Sequence, residues 1–250
     1  MKKVLIRADD LGFSKAVNLG IAETVRNGLV RSVGIMTNMP EAENGVAMLK
    51  GCDVCYGQHT NICAGIPLCD PAKIPSLIGE NGEFKTSREF RAAFKEGKEV
   101  VDLDEVILEI EAQYQRFLEL TGEKPHYFEG HAVASANFNK GLEIVAKRHN
   151  VDYLMLSFEP FKFKNSLIRV HVDSMAPAYD PYESLRKLVL DTDEEIVDVF
   201  VAHPGYLDAY ILQHSSLTTN RALEVDMLTD PKMIAWVQSQ PVELVTYDAL

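Results

Sequence analysis

Two adjacent aspartates, Asp9 and Asp10, close a short aliphatic run, Val4-Leu5-Ile6, and are followed at once by Leu11-Gly12-Phe13 and a helix start at Ser14. Side-by-side carboxylates repel, so they cost stability unless a cation or a shared proton relieves them. A strand that delivers charge at its C-terminal end, just before a helix, is where α/β folds place their chemistry. On its own the pair also reads as a solvated turn, with Asp10 or Ser14 capping the helix. Three histidines shift that balance. His59 closes Tyr56-Gly57-Gln58-His59, His131 closes His126-Tyr127-Phe128-Glu129-Gly130-His131, and His203 closes Phe200-Val201-Ala202-His203. Any one of them would be ordinary; together with an aspartate pair they form a constellation. Imidazole and carboxylate bind Zn, Mn, Co or Fe, and one Asp with two His leaves positions open for water and substrate. A second carboxylate could take the water proton, and a further histidine could give one to a leaving amine. That chemistry is a metal hydrolase.

The elements that must position these groups alternate along the chain. Strand-like runs fall at residues 3–8, 32–37, 53–59, 126–129, 152–156, 167–172, 196–202 and 242–246. Helical periodicity falls at 15–26, 104–120, 139–149, 183–190, 220–228 and 231–238, the first stopping at Asn27-Gly28 and the second at Gly122. Alternating β and α elements imply a parallel sheet with helical crossovers. About eight strands in a chain of this length imply one α/β domain, residues 1–250, built as a barrel related to the (β/α)8 design, a TIM-like barrel that the family resemblance described below implies to be irregular. The competing fold is an open doubly wound sheet, but no Gly-x-Gly-x-x-Gly follows the first strand. In a barrel, Asp9, Asp10, His59, His131 and His203 all meet at one mouth. Residues 67–101 interrupt the alternation after the third strand; their position suits a lid or substrate loop, with Phe84, Phe90 and Phe94 read either as contacts to substrate or as core packing. The remaining histidines carry plainer readings. His126 begins a strand, His149 ends a helix, His171 alternates with Val170 and Val172, and His214 lies in a polar loop.

Composition narrows the partners. Twenty-five basic against thirty-seven acidic residues leave a net charge of −12, which argues against nucleic acid or an anionic membrane surface. It allows a neutral small molecule and favours a divalent cation. The apolar run at the amino end is too short for a signal peptide, and no stretch approaches a membrane span, so a cytoplasmic protein is expected. Cys52, Cys55, Cys63 and Cys69 are close together, but the second pair is separated by five residues, which is poor zinc-knot spacing.

Four segments, in order and spanning nearly the whole chain, resemble the YdjC-like carbohydrate deacetylases, a family that includes chitooligosaccharide deacetylase. They are Ala8-Asp9-Asp10-Leu11-Gly12 with Val17 to Ile21; Gly57-Gln58-His59-Thr60-Asn61; Glu111-Ala112-Gln113 through Gly130-His131; and His203-Pro204-Gly205-Tyr206 with Arg221-Ala222-Leu223-Glu224. The resemblance implies that Asp10, His59 and His131 hold a divalent metal, Mg or Zn first and Mn or Co second. It implies Asp9 as general base and His203 as general acid. The substrate it implies is an N-acetylated mono- or oligosaccharide that loses its acetyl group; a homodimer is compatible with it. Two departures stand out. The family's usual Asn-Ala-Asp-Asp reads Arg7-Ala8-Asp9-Asp10 here, and its Asp-x-His-x-His reads Glu129-Gly130-His131-Ala132-Val133. The alternatives are a metal hydrolase of another small amide or ester, and a catalytically silent barrel that binds sugar or metal.

Overall fold

In the computed structural model, which describes every residue of 1–250 except Leu156 and Phe158, one strand organises the molecule. This strand, β1 (Lys2–Leu11), is buried from Val4 onward and is longer than any other described strand. After it come α1 (Lys15–Arg26), β2 (Ser32–Ile35), α2 (Ala42–Met48), β3 (Cys55–Thr60), α3 (Ser87–Lys95), α4 (Leu103–Thr121), β4 (Phe128–Gly130) and α5 (Ala136–His149). The second half contains β5 (Phe161–Phe163), β6 (Ser166–His171), α6 (Pro181–Asp191), β7 (Ile196–Ala202), α7 (Ala209–His214), α8 (Thr219–Thr229), α9 (Pro231–Ser239) and β8 (Val242–Val245).

The sheet runs β4-β3-β2-β1-β7-β6-β5, all parallel except the β5–β6 hairpin. β7 pairs with Lys3–Ala8 of β1. β8 pairs with Lys2–Leu5 and β2 with Arg7–Leu11. Since both stretches overlap the β7 register, β8 and β2 must share the other edge of β1, one behind the other. The sheet is therefore a curled half-barrel in one α/β domain, an irregular form of the expected TIM-like barrel with no full ring among the described residues. Two local causes are visible. The strand expected at 152–156 is reduced to a single bridge between Phe128 and Tyr153, with Leu156 outside the described residues. The far edge is closed by β5, which had no clear sequence signal and doubles back onto β6 through Lys164, whose φ is +51°.

Helix α1 spans the stretch its periodicity predicts, and Ser14 caps it by accepting from Val17 N at 3.2 Å. Asp10 is thus free of capping duty. The insertion is part of the wall. Phe84 and Phe90 are buried with Ile62, Leu77, Tyr114 and Phe138, whereas Phe94 is 60% exposed and lies outside the cavity. The phenylalanines expected to meet substrate are therefore core or solvent-facing. What the insertion brings to the mouth is α3, which has a Thr86/Glu89 capping box and presents Ser87 and Arg91. The loop after β7 is pressed onto α1: a Cβ on Gly20 would lie 2.5 Å from Cα of Gly205, so only glycine allows the approach. No described helix is long and apolar enough to cross a membrane.

Candidate metal centre

All five residues singled out in the sequence line one cavity of about 360 Å³ at the C-terminal ends of the strands. β1 reaches it through an irregularity between Ala8 and Leu11. There Asp10 adopts φ +76°, a left-handed conformation that non-glycine residues rarely take. Gly34 on β2 makes room beside it, since a Cβ there would lie 2.8 Å from Asp9 Oδ1 and 3.1 Å from His59 Cβ.

Asp10, His59 and His131 converge on one point. Asp10 Oδ1 is 3.3 Å from His59 Nε2 and 3.2 Å from His131 Nδ1, and the two imidazole nitrogens are 2.8 Å apart. Ligands at roughly 2.0–2.1 Å from one ion are separated by about 3 Å, so this triangle fits a single small divalent cation. The chemistry of the donors fits as well: two imidazole nitrogens and a carboxylate oxygen. Asp10 Oδ1 is buried without a hydrogen-bond partner, a lone pair that a cation would satisfy. The outer atoms are already engaged. Arg221 Nη2 donates to Asp10 Oδ2 at 2.6 Å, and Glu129 binds Nδ1 of His59. Carboxylate-backed imidazoles of this kind are the usual support of a metal ligand.

Protonation follows the same geometry. Burial alone would raise the Asp10 carboxyl, but Arg221 and His131 outweigh it and hold it well below the usual carboxylate range. Burial would lower the His59 imidazole, yet Glu129 and Asp9 push it well above its ordinary value. His131 is similarly raised to about 9, with Asp10 overriding burial. The carboxylates around these imidazoles thus favour positive charge at the triangle, the preference that a cation would meet.

A second cluster, Asp9, His59 and Glu129, is also close enough to hold an ion. It already holds one. Arg7 Nη2 lies 2.7 Å from Asp9 Oδ2 and 3.7 Å from Glu129 Oε2, and Arg7 Nη1 donates to Tyr247 Oη at 3.2 Å. The guanidinium fills this site, and Asp9 sits 4.0 Å from the Nδ1 side of His59, away from the open triangle.

His203 lies across the cavity in a bed of its own. Its backbone N donates to Glu224 Oε2 at 2.6 Å, and its carbonyl accepts from Arg221 Nη1 at 3.2 Å. Its Nδ1 is 3.2 Å from Ser174 Oγ. Burial depresses the ring to about 4 against the opposing pull of Asp10 and Asp9.

The sequence reading overlooked the supporting groups. Arg7 and Glu129 were noted only as departures, Arg221 and Glu224 only as parts of a segment, and Ser174 not at all. One available signal was Arg221 and Glu224, two charged residues on one face of α8 that prove to be buried. His214, read as a loop residue, lines the mouth, whereas His171 and His149 pair with Asp198 and Glu111. The four cysteines are free, and none joins an ion-binding group among the described residues.

The chain is similar to known proteins over nearly its whole length. A family profile described as YdjC-like protein matches residues 3–239. The chain is 28% identical over its whole length to a carbohydrate deacetylase of Thermoanaerobacter pseudethanolicus, also covered in full. It is 31% identical to carbohydrate deacetylase 2 of Listeria innocua, covering 98% of this chain and 97% of that one. Among solved structures, a putative cellobiose-phosphate cleavage protein of Enterococcus faecalis superposes with a TM-score of 0.81 at 20% identity, covering 100% of this chain and 99% of the other.

Proposed function

The chain belongs to the YdjC-like family, and from that premise we propose that it is a metal-dependent carbohydrate deacetylase, removing the acetyl group of an N-acetylated mono- or oligosaccharide. The observation that carries the reading is the triangle of Asp10, His59 and His131 with its unpartnered Oδ1. A cavity of about 360 Å³ also suits a small sugar, since small-molecule sites run from roughly 300 to 1,000 Å³.

Asp10, His59 and His131 would hold the ion, with Mg or Zn as the first candidates and Mn or Co next. A divalent ion there would acidify a water and polarise the acetyl carbonyl, which supplies the nucleophile and electrophile that amide hydrolysis needs near neutral pH. Asp9 takes the proton of the attacking water. Arg221 keeps Asp10 ionised, so the two neighbouring carboxylates hold different roles. Glu129 fixes the His59 ring with Nε2 toward Asp10. His203 gives a proton to the departing nitrogen, which as an anion is a poor leaving group. Arg91 and His214 stand at the mouth, where they can meet the sugar.

The test is metal analysis of the purified protein joined to an acetate-release screen over N-acetylated sugars. About one divalent ion per chain and metal-dependent acetate release are expected. Metal binding without release from any N-acetylated sugar would overturn the deacetylase reading.

A further inference from the structure

His203 is the one candidate site residue that no metal and no arginine fork holds by its side chain, yet its ring is not free to turn. Ser174, in the loop between β6 and α6, is fully buried beside it, as is Glu224 on α8. Ser174 Oγ lies 2.6 Å from Glu224 Oε1 and 3.2 Å from His203 Nδ1. Tyr179 Oη lies 2.8 Å from the same Glu224 oxygen, and the His203 backbone N lies 2.6 Å from the other. A backbone N–H can only donate, so Glu224 Oε2 accepts, and Oε1 of the carboxylate accepts from the hydroxyls of Ser174 and Tyr179. Ser174 has a single proton, and the shorter contact takes it to Glu224. Its lone pairs then face His203, where they can only accept. Nδ1 of the neutral ring must therefore carry the hydrogen.

We infer that Ser174 and Glu224 are positioning residues that lock His203 in the Nδ1–H tautomer, leaving the Nε2 lone pair to the cavity and a hydrogen-bonded path to a carboxylate behind the ring. The chemical role rests on the deacetylase reading; the tautomer rests on the hydrogen bonds alone. Asp9 and Asp10 from β1, His59 from β3, and Arg221 and Glu224 from α8 are the charged groups that face the ring. In this arrangement a neutral His203 cannot donate from Nε2 until it has accepted there. Nε2 takes up a proton from solvent in the cavity and delivers it to nitrogen as the C–N bond breaks, while the proton of the attacking water goes to Asp9. The ring is neutral before and after. While it is charged, Nδ1–H to Oγ–H to Glu224 disperses the positive charge into a carboxylate, as a directly bonded acid does in other imidazole catalysts.

The experiment uses the full-length, metal-loaded protein with ¹⁵N-labelled histidine. In the wild type the His203 nitrogens should show Nδ1 protonated and Nε2 bare at neutral pH. Ser174→Ala, which leaves the Tyr179 and backbone contacts of Glu224 in place, should lose this single-tautomer signature. It should also lower turnover of an acetylated amine roughly 10–100-fold, the range seen when an imidazole loses its supporting partner. An activated acetyl ester, whose leaving group needs no proton, should be hydrolysed at a nearly unchanged rate. Ser174→Thr, which keeps the hydroxyl, should restore both signals. A wild-type ring protonated on Nε2, or a Ser174→Ala protein with the wild-type tautomer and amide rate, would overturn the inference. If the wild type deacetylates no sugar, the functional reading fails while the tautomer assignment is still decided by the nitrogen spectrum.

Discussion

The two sides of the His59 ring each carry an aspartate of β1 and a second group from the end of β4, Glu129 on one side and His131 on the other, and they differ in what meets those groups. On the Nδ1 side, Asp9 and Glu129 enclose Arg7, and their charges are met by the guanidinium. On the Nε2 side, Asp10 Oδ1 faces the nitrogens of His59 and His131, while Arg221 engages only the other oxygen, Oδ2. Both sides are charge clusters out of water, where an unmet charge costs several kcal/mol. The chain fills one with a side chain; the other is where the proposed divalent ion would sit. The lesson is that a group of acids and histidines is a metal site only where the chain has not already supplied the positive charge.

Removing a ligand from the open side should have the largest effect. Asp10→Asn should abolish stoichiometric metal binding, as measured on purified protein, and with it acetate release. Its neighbour should behave differently. Asp9→Asn should retain the metal and lose roughly 10²–10⁴-fold in kcat, the span of general acid–base catalysis. If instead Asp9→Asn loses the metal and Asp10→Asn keeps it, the two sides have been interchanged. If Asp9→Asn keeps both metal and full activity, Asp9 is not the base.

The closed side should be read in stability. Arg7→Met removes the cation while leaving Asp9 and Glu129 nearly dry, with Arg7 and Asp9 side chains only 5% and 3% exposed. Stranding buried charge in this way typically costs about 3–5 kcal/mol. Chemical denaturation should show a loss of that order, with the metal still bound to the folded protein. A variant as stable as the wild type would mean that Arg7 does not carry the closed side.

Much of this contrast was legible in the chain, and the limit is physical. Asp10, His59 and His131 each close an apolar run, and a strand must present its last residues at its C-terminal end, so sequence order alone brought them together. Arg7 lies inside the same strand and stands out in the sequence only as a departure from the family's motif; its role depends on Glu129, 122 positions later. Ser174 and Glu224 meet across 50 residues and carry no pattern that local periodicity records. The curled sheet was hidden for a similar reason. Alternation of strands and helices reports how many strands there are, not that β8 and β2 must share one edge of β1.

The open side should also titrate. His131 is raised to about 9 and His59 lies well above its ordinary value, so a cation entering the triangle competes with protons for these nitrogens. Metal affinity should therefore weaken as pH falls from about 9, already above neutrality, and not only below the ordinary histidine value of about 6.5. Each displaced proton contributes roughly a tenfold loss per pH unit. The sign for folding is the reverse. A group whose folded pKa is raised stabilises the metal-free protein fully below the unfolded value and loses that contribution as pH rises through the folded one. Metal-free protein should thus lose thermal stability between about pH 6.5 and 9, in which range the metal-loaded protein should hold its own. Calorimetry of both forms checks this. Parallel pH profiles would mean that the proton and the cation do not compete for the same atoms.

The smallest effects belong to the insertion, where the comparison becomes one between cavity wall and solvent. Arg91 lines the mouth on α3, and Phe94, one turn further along the same helix, is 60% exposed and outside the cavity. A side chain that touches substrate without reaching the reacting bond contributes to binding alike in ground and transition states, so its loss appears in KM. Arg91→Ala should raise KM for the sugar several-fold, by about 1 kcal/mol of lost binding, with kcat unchanged. Phe94→Ala should change neither constant. Were Phe94→Ala to raise KM and Arg91→Ala to leave it alone, α3 would have to turn its other face to the cavity when sugar binds, and the insertion would be a moving lid and not a fixed part of the wall.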